Sequence, residues 1–192
     1  TVYIDGFNLY KGISDMAELN SHWVKYKWLD LVALSYQLIP ENAHLTQVHY
    51  FTTMVKKNPQ KHARQLNYIN ALKANSKGKI NIELGRFQDF DIYCKNKGCG
   101  APLRCASCGA KYRKPNEKKT DVNLTTYMLT DCFENRTDCI VMVSGDTDYE
   151  MPLKEIRRLF DKVEIIIAYP PKRKNAHLKK YCTLGSISII EP

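Results

Sequence analysis

Cys139-Ile140-Val141-Met142-Val143 is an unbroken apolar run, and it closes directly on Ser144-Gly145-Asp146-Thr147-Asp148. Consecutive apolar residues bounded by turn formers predict a strand covered on both faces, as in a parallel sheet between helices. Outward from that strand, the pattern alternates. Residues 1–5 read as a strand with a tight turn at Gly6, and 46–53, 80–87, 163–168 and 186–190 as further strands. Helices are expected over 29–39, ended by Pro40, and over 59–75, begun by Pro59. The second has Ala63, Leu66, Ile69, Asn70 and Leu72 near one stripe. Thr120 is the expected cap of a helix over 121–134, with Val122, Leu124, Leu129 and Phe133 turned inward. A helix over 150–161 and a short basic one near 174–182 complete the alternation, which argues for a parallel sheet with helices on both faces.

The chain has 192 residues, enough for a single α/β domain. No apolar run approaches the ~18 residues of a membrane span, and no signal peptide is visible. Net charge is +9, and two segments carry the excess. Residues 86–120 hold nine Lys or Arg against three acids, and 169–190 hold five with no acid. Basic flanks beside an acidic pocket suit a polyanion approaching a metal.

The acids of that pocket come from three stretches: Asp5-Gly6-Phe7-Asn8, Lys119-Thr120-Asp121-Val122 and Ser144-Gly145-Asp146-Thr147-Asp148-Tyr149. Asp5 ends the first strand, and Asp146 and Asp148 follow the 139–143 strand. Asp121 falls in the first turn of the preceding helix. In an open parallel sheet, ligands bind beyond the carboxyl ends of the strands. Clustered carboxylates repel unless a cation lies between them, so the cluster reads as a divalent-metal site for phosphate chemistry. Each acid alone also has a plain structural role, as a turn or a helix cap. The histidines (His22, His44, His49, His62, His177) lie outside these stretches and read as surface or partly packed residues.

Taken together and in this order, with Pro152 and Leu153 in the following helix, the stretches resemble the NYN domains of the PIN-like nuclease superfamily. The resemblance spans the chain apart from a cysteine-rich segment. It implies a three-layer Rossmann-like fold and a Mg²⁺- or Mn²⁺-dependent ribonuclease pocket. By that match Asp5, Asp121, Asp146 and Asp148 are the catalytic acids. Asp5 and Asp146 are the expected direct metal ligands, with Asp148 and Asp121 reaching the metal through bound water or a second ion. Asn8, Ser144 and Lys119 are the expected substrate contacts. RNA is the expected partner, with DNA left open, and a homodimer is allowed. The alternative is a module of the same fold that holds RNA or a nucleotide without cutting it. A phosphatase of the haloacid-dehalogenase type ranks low, because it needs a second Asp two residues after the nucleophile, where Phe7 stands.

Residues 88–118 lack periodicity and read as an insertion. Its Cys94-x4-Cys99-x5-Cys105-x2-Cys108 spacing offers four thiolates for a structural zinc. Tyr93 and Tyr112, set among lysines and arginines, could stack bases beside phosphate contacts. Cys132, Cys139 and Cys182 read as small buried hydrophobes. Without a secretion signal the thiols suggest a reducing cytoplasm.

Overall fold

In the computed structural model, which describes residues 1–189, β1 (Val2–Asp5) is buried along its whole length. It lies at the centre of a six-stranded sheet with β2 (Val48–Thr52), β3 (Ile80–Leu84), β6 (Cys139–Val143), β7 (Glu164–Tyr169) and β8 (Gly185–Ser188). The order is β3-β2-β1-β6-β7-β8, and every pairing is parallel. Ile4 sits opposite Tyr50 on one side and Val143 on the other. Chain order reverses between β1 and β6, which makes the cleft above those two strands the switch point of the sheet.

Alternation along β1 sorts the core into two halves. Val2 and Ile4 face α1 (Gly6–Leu19), α2 (Leu31–Leu38) and α3 (Pro59–Asn75), packing with Leu9, Ile13, Leu31, Leu38 and Leu72. Tyr3 faces α4 (Thr120–Phe133), α5 (Glu150–Leu159) and α6 (Ala176–Lys179), among Leu124, Met128, Leu153, Ile156 and Leu178. This is the parallel sheet with helices on both faces that the alternation predicts, and the three-layer, Rossmann-like architecture that the resemblance implies. No helix among the described residues is long and apolar enough to cross a membrane.

Several local expectations change. The strand over 80–87 stops at Leu84, and Arg86 begins a separate strand, β4 (Arg86–Asp91). The break is Gly85, where a Cβ would meet Thr53 Oγ1 at 2.6 Å and the Lys118 carbonyl at 2.8 Å. β4 pairs antiparallel with β5 (Arg113–Lys118), so the inserted segment leaves the domain as a hairpin, starting at Arg86. Thr120 is not the cap of α4. Lys119 holds that position with a left-handed φ of 81°, and the Thr120 hydroxyl reaches Glu117 instead. On α4 the inward stripe is Leu124, Met128, Asp131 and Cys132, while Val122 is 70% and Phe133 79% exposed. Residues 124, 128 and 132 repeat every four positions and stack along one face; 122, 129 and 133 straddle it. On α3, Ile69 and Leu72 are buried, but Ala63, Leu66 and Asn70 are exposed. The expected strand over 186–190 ends at Ser188, and residue 190 lies outside the described residues.

Candidate active site

Asp5 is only 6% exposed, where β1 turns into α1. Its Oδ1 accepts from the Asn8 backbone N–H at 2.9 Å, which makes it the N-cap of α1. Its Oδ2 accepts from Ser144 Oγ, also at 2.9 Å. Across the mouth, Asp121 Oδ1 accepts from the Tyr149 hydroxyl at 2.8 Å, and the same hydroxyl lies 3.4 Å from Asp5 Oδ2. One buried phenol therefore holds carboxylates from β1 and α4 within two hydrogen-bond lengths of each other. Asp146 caps the short turn Thr147–Tyr149 by accepting from the Asp148 N–H at 3.1 Å. Asp148 is exposed at the rim, as is Lys119.

Two expected substrate contacts have internal duties. Ser144 is fully buried, and besides donating to Asp5 it accepts from the Asp146 N–H at 3.1 Å. Asn8 Oδ1 accepts from the Gly145 N–H at 3.1 Å, tying α1 to the loop after β6. Gly145 has no room for a side chain, because a Cβ there would lie 1.8 Å from the Arg173 carbonyl. Asn8, Ser144 and Gly145 thus align the two loops of the switch point.

The sequence reading missed Glu117. It lies at the foot of the inserted hairpin, accepts from Thr53 Oγ1 at 2.7 Å, and is close enough to raise the pKa of Asp5. An acid standing opposite Phe87 in a lysine-rich strand was the available signal. Tyr149 was read as part of the third motif but given no role.

Electrostatically the cluster lacks its counter-charge. Burial pushes the Asp5 carboxyl up to about 7, against the Asn8 and Ser144 donors, with Asp121 and Glu117 adding to the rise. Burial also raises Asp121, and the charges of Asp146 and Asp148 raise it further against the Tyr149 hydrogen bond. Glu117 is raised mainly by burial. The Tyr149 phenol is raised too, by burial and by Asp5 and Asp121, and so stays protonated. Among the described residues, no Lys or Arg comes within ion-pair distance of these five acids. The N-termini of α1 and α4 give partial compensation. Among the described residues no three His, Cys, Asp or Glu side chains close around a single point as an ion's full ligand set. A hard cation that keeps several waters and takes one or two carboxylates plus phosphate oxygens fits this open donor set.

His49 departs from expectation. It is buried on β2, stacks on Tyr3 with ring centroids 5.3 Å apart, and places Nε2 3.3 Å from Asp131 Oδ2. Burial lowers its pKa, so it donates to Asp131 as a neutral ring. It sits in register with Tyr3, two residues before the level of Asp5, and belongs to the core. Of the other cysteines, Cys132 is buried, and Cys139 and Cys182 are half-buried.

In the inserted segment, three stretches of the chain meet as a pinwheel of backbone hydrogen bonds. The Leu103 N–H donates to the Ile92 carbonyl, Tyr112 to Leu103, and Ile92 to Tyr112. The Cys94–Cys99 and Cys105–Cys108 turns lie on successive excursions of the chain, before and after Leu103.

A family model described as NYN domain matches residues 1–189. The chain is 27% identical over 197 residues to 6-hydroxy-3-succinoylpyridine 3-monooxygenase HspA of Pseudomonas putida (strain DSM 28022 / S16), a match covering 91% of this chain. The chain spans about 60% of the length of that relative. A crystal structure of a Vibrio parahaemolyticus protein of unknown function shares the fold. Its TM-score is 0.55 at 13% identity, over 99% of this chain and 91% of that one. A switch-point cluster of acids in a six-stranded parallel sheet and a family match over nearly the whole chain agree: the chain belongs to the NYN domain family, within the PIN-like nuclease superfamily.

Proposed function

We propose that the chain is a metal-dependent endoribonuclease that hydrolyses RNA phosphodiester bonds at the Asp5–Asp121–Asp146 mouth. The observation that carries this reading is a buried carboxylate, Asp5, facing a second across one hydroxyl, with no Lys or Arg within ion-pair distance among the described residues. Asp5 and Asp146 would hold Mg²⁺ or Mn²⁺, with Asp148 at the rim. Such an ion, when bound, acidifies a water and neutralises phosphate charge. Asp121 and Glu117, both shifted upward, are suited to take the proton of the attacking water. Tyr149 orients Asp121, Ser144 orients Asp5, and Lys119 at the rim supplies charge for the incoming backbone.

The test incubates labelled RNA with the purified protein and Mg²⁺ or Mn²⁺, beside Asp146→Asn. Cleavage that falls by roughly 10²-fold or more in the variant is expected. Equal cleavage by both proteins would assign the activity to a contaminant. Salt-sensitive RNA binding without cleavage under any divalent ion would instead favour a non-cutting module. The Pseudomonas relative is named for oxidation of a hydroxypyridine; with 27% identity over part of its length, that chemistry is not carried over.

We further propose that Cys94, Cys99, Cys105 and Cys108 take a structural zinc. Support comes from the second turn. The N–H groups of Cys108 and Ser107 point at the Cys105 sulfur and hold its pKa below the ordinary thiol range. Gly98, Gly100 and Gly109 supply the positive φ angles of the two turns. The sulfurs are not gathered at one point, so metal capture would draw the turns together. Cobalt substitution is expected to give a tetrahedral thiolate spectrum, and zinc to protect the four thiols from alkylation. Thiols alkylated equally fast with and without excess zinc would contradict the assignment. A reducing, cytoplasmic setting is part of the same proposal, because zinc ligation needs the four sulfurs as free thiolates.

A further inference from the structure

Beside the acidic mouth lies an open groove of about 520 Å³, the size of a ligand site. Glu117, one of the five acids, and Gly6, next to Asp5 in the chain, are also in its wall, so the groove borders the mouth. Its floor and sides are aromatic. Phe7 and Tyr10 on α1 are each 53% exposed, and Trp28, from the turn Ser21–Trp28, is 51% exposed. Trp28 is held edge-on to Tyr68, with ring centroids 5.8 Å apart, and the Tyr68 hydroxyl donates to the Leu29 carbonyl at 2.6 Å. Half-exposed rings fixed from behind form a stacking platform. The rim is basic: Lys27, Lys61 and Arg64 line it, and none is ion-paired among the described residues. Flat aromatic faces beside unpaired cations recognise an unpaired base and its phosphate.

We propose that this groove binds an unpaired nucleobase next to the scissile phosphate. Trp28 and Phe7 are the stacking faces, and Lys61 and Arg64 hold the adjoining phosphate. The placement rests on the nuclease reading of the acidic mouth. It adds that a strand already single at this nucleotide binds best, because a paired base enters the groove only after its pairing and stacking are broken.

The experiment reads binding separately from cleavage. A short oligoadenylate is titrated, as a single strand and as a duplex, in buffer without Mg²⁺ or Mn²⁺, while tryptophan fluorescence is followed. Trp23 is buried, so a Trp23→Phe background leaves Trp28 as the reporter. The single strand is expected to quench Trp28 saturably and the duplex to bind clearly more weakly. In an anisotropy assay with labelled strand, Trp28→Ala should lose about 10-fold or more in affinity, with Trp28→Phe keeping most of it. Arg64→Glu should flatten the salt dependence. Equal binding of strand and duplex, or unchanged affinity in Trp28→Ala, would overturn the proposal. So would quenching by a hydroxypyridine but not by the oligonucleotide. If quenching holds and no cleavage is found with metal, only the nuclease reading fails. If cleavage holds and Trp28→Ala binds normally, only the groove reading fails.

Discussion

Asp5→Asn is expected to give a protein that is more stable than the parent without metal and that cuts RNA far more slowly. Asparagine keeps the Oδ1 acceptor for the Asn8 N–H, so the cap of α1 survives. What disappears is a buried charge with no cation beside it. In the parent, the folded-state value of about 7 stands above the ordinary aspartate value of 3.8. The folded protein therefore holds more protons than the unfolded chain between about pH 4 and pH 7, and its stability falls as pH rises through that window. Above it, the full cost persists, on the order of 1–4 kcal/mol. Urea denaturation of metal-free protein should show this slope in the parent and its loss in the variant. Cleavage with Mn²⁺ should fall about 10²- to 10³-fold, the scale for removing one group aimed at developing charge. A variant destabilised at pH 8, or one with near-normal cleavage, would contradict this account of the pocket.

The second large effect is structural. Asp131 accepts from the Tyr3 hydroxyl at 2.6 Å and from Arg136 Nε at 3.1 Å, and it faces His49 Nε2 at 3.3 Å. Tyr3 and His49 are buried, so Asp131→Ala leaves two polar groups without a partner between α4 and the sheet. A loss of roughly 3–5 kcal/mol is expected, in line with removing one member of a buried pair. The denaturation midpoint measures it, and a loss under about 1 kcal/mol would mean that water replaces the carboxylate. Asp131→Asn should recover part of the loss. Because this network lies below the level of Asp5, the residual folded fraction of either variant should bind metal normally.

Much of the frame was legible because its signals are local. The 139–143 run, Pro40 after α2 and Pro59 at the head of α3 each act within a few residues, and those elements appear where they were expected. Helix facing was harder to read. Val122 and Phe133 are apolar yet exposed on α4, because the sheet takes the face carrying 124, 128 and 132. The hairpin strands β4 and β5 were missed since their pairing supplies the order that their side chains do not: Arg86 to Asp91 and Arg113 to Lys118 show no apolar alternation.

At the pocket, Asp5, Asp146 and Asp148 were visible as strand-end acids and Asp121 as a first-turn acid, and the fold brings Asp5 and Asp121 to one hydroxyl. Glu117 was hidden, because its place depends on a hairpin returning to the sheet beside Thr53. Asn8 and Ser144 looked like substrate contacts, since polar side chains next to strand-end acids read that way from sequence. Only the long-range bonds to Gly145 and Asp5 show them bracing the loops. His49 looked unremarkable until β2 carried it into the core opposite Tyr3.

The most direct test of the central claim is anomalous diffraction from crystals soaked in Mn²⁺. The account predicts a manganese peak in the mouth, roughly 2 Å from an Asp5 or Asp146 oxygen, with Asp121 reached directly or through one water. Soaked crystals of an RNA-cleaving preparation that show no manganese at this mouth would contradict it.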